Sequence, residues 1–172
     1  MTTAEIPRAV RVVRANEAAG DTIDTVSLDY AARLLRRKRL VADAGTEFLV
    51  DLVETTSVSA GDCFDIGNNR IIRIEAAPED LIEIKGDLPR LAWHIGNRHT
   101  PCQVAGDCLL IQNDHVLAGM LAGLGAHLRA VRAPFSPEGG AYGHGRTFPH
   151  SHGHDHPSGV HVHADEPGDG DG

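Results

Sequence analysis

A chain of 172 residues fills about one to two domains and is too short for a large multidomain enzyme. Hydrophobic residues at 41% suffice for the modest core of a soluble globular protein, and aromatics at only 4% leave that core mainly to Leu, Ile, Val and Ala. Sixteen Lys and Arg against 24 Asp and Glu give a formal charge of −8, which disfavours polyanions and argues against nucleic acid as a partner. Histidine is the outlier, with 11 in all and seven in the last 29 residues.

From residue 8 to 76 the sequence reads as short strands: Val10 to Val13, Asp24 to Leu28, Arg39 to Ala42 and Phe48 to Leu52, separated by turn formers such as Asp43-Ala44-Gly45. Gly61 to Ile74 carries apolar residues on two arms around Gly67-Asn68-Asn69, the pattern of a hairpin. Tyr30 to Leu40 has the propensity of a basic helix, but loop and strand suit its neighbours better. The expectation is a small all-β first domain over residues 1–76.

At Ala76-Ala77-Pro78 the pattern changes to strands alternating with helices. Leu81 to Ile84 is a strand, Asp87 can cap a helix running to about Arg98, and Pro101 forbids its continuation. Gln103-Val104 and Cys108 to Ile111 are short strands. Asp114 caps a second helix, with Val116, Leu117, Met120, Leu121 and Leu124 at helical spacing and Gly125 beyond its end, and Ala126 to Val131 closes the series as a strand. The order βαββαβ is the ferredoxin-like arrangement, so the predicted class is α+β with this second domain over residues 77–142.

Residues 143–172 are Gly, Pro, His and acid with almost no large apolar side chain, the composition of a disordered tail. His150, His152, His154 and His156 alternate with Ser, Gly and Asp, flanked by His144, His161 and His163. Neutral imidazoles on a flexible chain can converge on a borderline cation, so the tail is expected to bind metal rather than merely solubilise. Its interrupted spacing is unlike an unbroken hexahistidine tag.

No stretch reaches the 18 apolar residues of a spanning helix, and Met1-Thr2-Thr3-Ala4-Glu5 lacks the layout of a signal peptide, so a cytoplasmic protein with no membrane partner is expected. Cys63, Cys102 and Cys108 are odd in number and unrelated in spacing, which indicates reduced thiols rather than a disulfide framework or a zinc knuckle.

The densest chemistry lies in Trp93-His94-Ile95-Gly96-Asn97-Arg98-His99-Thr100-Pro101-Cys102-Gln103. At a helix end His94 and Arg98 are one turn apart, and the His99 ring can leave the helix surface as a ligand. A histidine there is also a favourable partner of the helix dipole. One imidazole cannot hold a metal, but a two-fold axis through that surface would supply two.

That segment, followed by Asp114-His115-Val116-Leu117 with Met120-Leu121, by Pro137-Glu138-Gly139-Gly140-Ala141-Tyr142 and by the His-rich tail, resembles the urease accessory protein UreE family. Arg36-Arg37-Lys38-Arg39-Leu40, Phe48 to Leu52 and Gly61-Asp62 extend the resemblance over nearly the whole chain. It implies a nickel metallochaperone with an N-terminal β domain and a ferredoxin-like C-terminal domain through which it forms a homodimer. It further implies that His99 faces its two-fold mate on a shared Ni2+ ion and that the tail histidines His144, His150, His152, His154 and His156 complete or extend the coordination. The metal would pass to the GTPase UreG and on to the urease apoprotein. Two further family positions map to His94 and His115. Asn113 stands where some relatives carry the first histidine of His-x-His, so His115 is a ligand on a weaker peripheral site or a surface residue at a helix start.

An enzyme is not expected, since no closed ligand set such as His-Glu-x-x-His with a catalytic base appears. A nickel or zinc storage protein without a delivery role would account for the tail but not for Gly96-Asn97-Arg98-His99. Histidine sites also take Zn2+ and Cu2+, so spacing does not set the metal. Arg33 to Arg39, five basic residues in seven, reads as a solvated basic face or a docking surface for an acidic partner.

Overall fold

The computed structural model describes residues 6–139. The expected tail, with His144, His150, His152, His154 and His156, lies outside the described residues.

The first half is all β, as its alternating pattern predicts, apart from a single 3-10 turn at Ala15–Glu17. Its strands are β1 (Arg8–Ala9), β2 (Arg11–Val13), β3 (Asp21–Leu28), β4 (Leu34–Val41), β5 (Glu47–Ser57), β6 (Cys63–Asp65) and β7 (Arg70–Ala76). They form two sheets, ordered β1-β5-β4 and β2-β6-β7-β3, whose inner faces share one core. Phe48 of β5 and Phe64 of β6 meet in that core with ring centroids 5.5 Å apart. The run Val10 to Val13, expected as one strand, is a strand over Arg11–Val13, and an additional short strand precedes it. Arg8–Ala9 belongs to one sheet and Arg11–Val13 to the other, with Val10 as the crossover between them. Tyr30 to Arg33 is a turn and Leu34–Val41 a strand, so the helical propensity of this basic run yields to pairing with β5.

The hairpin around Gly67-Asn68-Asn69 is present. Asn68 and Asn69 hold φ of 54° and 59°, and the Arg70 N–H donates to the Gly67 carbonyl at 3.0 Å, the geometry of a type I′ turn. Two parallel pairings, β1 with β5 and β3 with β7, join segments far apart in sequence. Buried Asp24 fixes the turn between β4 and β5 to β3. Its carboxylate accepts N–H groups from Thr25 at 2.7 Å, Ala44 at 3.0 Å and Thr46 at 3.2 Å.

The second half follows the βαββαβ order read from the sequence: β8 (Pro78–Lys85), α1 (Leu88–Gly96), β9 (Gln103–Ala105), β10 (Cys108–Gln112), α2 (His115–Gly123) and β11 (His127–Pro134). The sheet order is β11-β8-β10-β9, every neighbouring pair antiparallel. Both helices cover one face, where Leu91, Ile95, Leu117 and Leu121 pack on Ile82, Ile84, Leu109 and Ile111. β11 runs three residues beyond the expected Val131 because it pairs with all of β8, from His127 opposite Lys85 to Pro134 opposite Pro78. Only Ala77 separates β7 from β8, so the break at Ala76 to Pro78 is a change of sheet with no linker.

The other face of this sheet meets the first half. Leu81, Leu110 and Phe135 are buried there with Tyr30 against them. Tyr30 stands edge-on to Phe135 with centroids 5.5 Å apart, and the Arg33 guanidinium lies 5.6 Å from the Tyr30 ring centre while donating to the Phe135 carbonyl. Glu79 accepts the Tyr30 N–H at 2.9 Å and the Gln112 amide at 2.7 Å. Among the described residues no helix is long and apolar enough to cross a membrane.

Hydrogen bonding by Thr46, with the N–H groups of Ala44 and Thr25, holds the Asp24 carboxyl below its ordinary value of 3.8. A depressed carboxyl contributes stability that is complete above the unfolded value and is lost as pH falls through the folded one. Asp24→Asn should therefore lower the melting temperature at pH 7, and the difference from the parent protein should shrink below about pH 4. Thermal unfolding at pH 7, 5 and 3 checks this; a difference independent of pH would count against it.

Candidate metal centre

Helix α1 starts where Asp87 accepts the Arg90 N–H at 3.4 Å and Pro89 follows inside the first turn. Leu91 and Ile95 are buried against the sheet, which fixes the helix and leaves Trp93 64% exposed on another side. The half-buried His94 stands edge-on to Trp93, ring centroids 4.9 Å apart. The last turn closes through Asn97 N–H to Trp93 at 2.9 Å, Arg98 N–H to Ile95 at 3.1 Å and His99 N–H to Gly96 at 2.9 Å. The Arg98 side chain donates to the His94 carbonyl at 3.1 Å, confirming that the two residues are one turn apart.

His99 ends the helix at φ 54°, a left-handed position most often filled by glycine or asparagine. Non-glycine residues adopt it at a cost, and they concentrate where function needs a side chain in a fixed place. His99 is exposed, and Pro101 two residues on prevents any return to helix.

The chain then runs back beside this segment. The Ser136 N–H donates to the Gln103 side-chain oxygen at 2.8 Å, and the Glu138 N–H donates to the Cys102 carbonyl at 2.8 Å. The last described residues therefore lie against residues 102–103, just after His99, and the path toward His144 and His150 starts there. Sequence reading missed this return, because no local pattern announces a hydrogen bond between residues 36 positions apart in the chain.

His115 is the first residue of α2 and is exposed, directly after Asp114, whose carboxylate accepts the Val116 and Leu117 N–H groups at 2.9 and 3.0 Å. Among the described residues no three His, Cys, Asp or Glu side chains stand close enough to hold a metal ion. His94, His99 and His115 are thus not assembled into one ligand set within a single chain.

Cys102 is half-buried. Burial, with a smaller contribution from the Glu138 charge, pushes its thiol up to about 11. At neutral pH it is a protonated packing residue and a poor metal ligand, which needs the thiolate. Its alkylation by iodoacetamide at pH 7.5, followed by peptide mass mapping, should run about 100-fold slower than that of an ordinary exposed cysteine; a comparable rate would contradict this placement.

Comparison with known proteins places these features in a family. Residues 6–77 match the family model of the UreE urease accessory protein, N-terminal domain, and residues 69–164 match that of the UreE urease accessory protein, C-terminal domain. The urease accessory protein UreE of Cereibacter sphaeroides is 51% identical over 146 residues, covering 85% of this chain and 80% of that protein. Those of Rhodobacter capsulatus and Ruegeria pomeroyi are 53% and 54% identical, covering 83% of this chain and 91% and 97% of their own lengths. With both family models together spanning all the described residues, the chain belongs to the UreE urease accessory protein family, which is one of accessory chaperones and not of enzymes.

Proposed function

We propose that this chain is a nickel metallochaperone that binds Ni2+ as cargo and delivers it to the urease apoprotein during assembly of the urease active site. One observation carries the reading. An exposed histidine, His99, is fixed at the end of α1 three residues before Cys102, whose carbonyl holds the Glu138 N–H where the chain runs on toward its histidine-rich segment. Urease accessory proteins named UreE are its relatives, and an accessory role in urease maturation accords with a site that carries metal without catalytic groups.

A single imidazole leaves most of a metal's coordination open, so the working unit in this reading is a homodimer in which two His99 rings share one ion. Trp93 at 64%, Val104 at 55% and Val116 at 70% exposure are apolar side chains of residues 93–116 that solvent alone covers poorly, and pairing would bury them. His144, His150, His152, His154 and His156 add imidazoles to the shared ion or hold further ions, and His115 is a peripheral ligand at most. Zn2+ and Cu2+ occupy the same nitrogen donors in vitro, Cu2+ more tightly. The GTPase UreG is the proposed recipient on the way to urease. Three free thiols, Cys63, Cys102 and Cys108, accord with a cytoplasmic setting. The corresponding division is a β domain over residues 1–76, a ferredoxin-like metal-binding and dimerisation domain over 77–142, and a metal-binding tail over 143–172. The strand order β11-β8-β10-β9 with two helices on one face supports the ferredoxin-like description.

His99→Ala in the chain truncated after Tyr142 should lower nickel affinity by about 100-fold or more, because the truncation removes the tail imidazoles and the substitution removes the paired ones. Calorimetric titration checks this. Tight binding that survives both changes would move the site to His94 or His115.

Protons compete with nickel for imidazole nitrogen, whose ordinary pKa is about 6.5, and the metal takes only the neutral form. Affinity should therefore fall as pH drops below that value, and well below it by more than about two decades per pH unit when two His99 rings and tail imidazoles bind each ion. Carboxylate ligation would hold its affinity to near pH 4, since Asp and Glu remain ionised to about that point. A nickel titration series from pH 8 to pH 5 separates the two; undiminished affinity at pH 5 would exclude a histidine site.

A further inference from the structure

After β11 the chain crosses the second sheet from one edge to the other. β11 and β9 are the two edge strands, with β8 and β10 between them. Phe135 is buried on the face turned to the first half, with Leu81 of β8 and Leu110 of β10, and its carbonyl accepts from the buried Arg33. The chain then emerges at the β9 edge. There the Ser136 N–H donates to Gln103 Oε1 at 2.8 Å, and the Glu138 N–H donates to the Cys102 carbonyl at 2.8 Å.

The segment is built for this contact. Pro137 stands between the two donors and has no N–H of its own, so every backbone donor of residues 136–138 is used. Proline also favours an extended Ser136 before it. Gln103 is itself held in the sheet, in register with Leu110 of β10, and lends its side chain to the returning segment. The order of the two bonds gives a direction. Residue 136 meets 103 and residue 138 meets 102, so the segment runs antiparallel to 102–103, on a heading toward Thr100 and His99.

Chain reach turns that heading into a constraint on the metal. His144 follows Glu138 by six residues, a span of at most about 22 Å, and His99 precedes Cys102 by three, at most about 11 Å. With 136–138 released, the free length runs from Phe135 and grows to nine residues. Length alone then lowers the effective concentration of the imidazole at His99 about twofold, and loss of direction lowers it further.

We propose that Gln103 is a positioning residue of the metal centre, which fixes the root of the histidine-rich segment to the β9 edge and directs it at the His99 turn, so that a tail imidazole meets the ion His99 carries. This role rests on the reading that His99 and tail imidazoles share an ion, and adds the device that brings them together. Gln103 does not coordinate the metal; it acts through Ser136.

The test compares nickel affinity in the full chain and in the chain truncated after Tyr142, at half an equivalent of nickel per chain in competition with a chromophoric chelator. Gln103→Leu, alone and with Glu138→Pro to remove the second donor, should weaken binding by about threefold or more in the full chain and leave the truncated chain unchanged. Gln103→Glu, whose carboxylate still accepts the Ser136 N–H, should keep the parent affinity. In the metal-free full chain, hydrogen exchange at the Ser136 amide should be faster in Gln103→Leu and unaltered in Gln103→Glu. Melting temperatures establish that each variant is folded. The proposal is overturned by unchanged affinity of the full-length Gln103→Leu/Glu138→Pro chain, by an equal loss in the truncated chain, which would make Gln103 a prop of the His99 turn itself, or by unaltered exchange at Ser136. Each of these results leaves the shared-ion reading standing. Equal affinity of the full and truncated parent chains would instead remove the tail from that ion, and both readings would fall together.

Discussion

A nickel ion held by imidazoles needs several nitrogen atoms at once, and α1 presents a single exposed one at its end. The shared metal site proposed for this protein follows from that shortfall. The helix is clamped at its start by Asp87 and along its buried side by Leu91 and Ile95, so the position of His99 is set by the fold and not by chance encounter. The left-handed turn at His99, followed by Pro101, keeps the residue from being absorbed into a longer helix. A ligand so placed is useful to a carrier because its sphere is incomplete. Ligands borrowed from a second chain or from a histidine-rich segment can be returned, which a closed structural metal site does not permit.

The rest of the described chain serves this placement in two ways. The sheet β11-β8-β10-β9 gives α1 a rigid floor, while its opposite face is closed by the Tyr30, Arg33 and Phe135 contacts with the first half. Those contacts also decide where the chain goes next. With Phe135 buried and its carbonyl held by Arg33, residues 136–138 are steered along Cys102 and Gln103, the residues that follow the His99 turn.

Much of this was legible in the sequence because the signals were local. Asp87 and Asp114 announced their helices as side-chain caps, Gly67-Asn68-Asn69 announced a hairpin turn, and of Val116, Leu117, Met120, Leu121 and Leu124 at helical spacing Leu117 and Leu121 are buried while Val116 is exposed. What was not legible depended on distant partners. The split of residues 8–13 between two sheets, the parallel pairing of β3 with β7 and the length of β11 are each decided by a strand elsewhere in the chain. The left-handed conformation of His99 had only the nearby Pro101 as a hint. The proposed ligand set resisted reading for the same reason, since among the described residues no three His, Cys, Asp or Glu side chains come close enough to hold an ion.

Native mass spectrometry of the chain truncated after Tyr142, given half an equivalent of nickel per chain, tests the shared site most directly. The account predicts a dimer carrying one nickel ion as the main metal-bound species, with bare monomer and bare dimer as the remainder. Nickel on monomers, or dimers that fill with two ions independently, would contradict it.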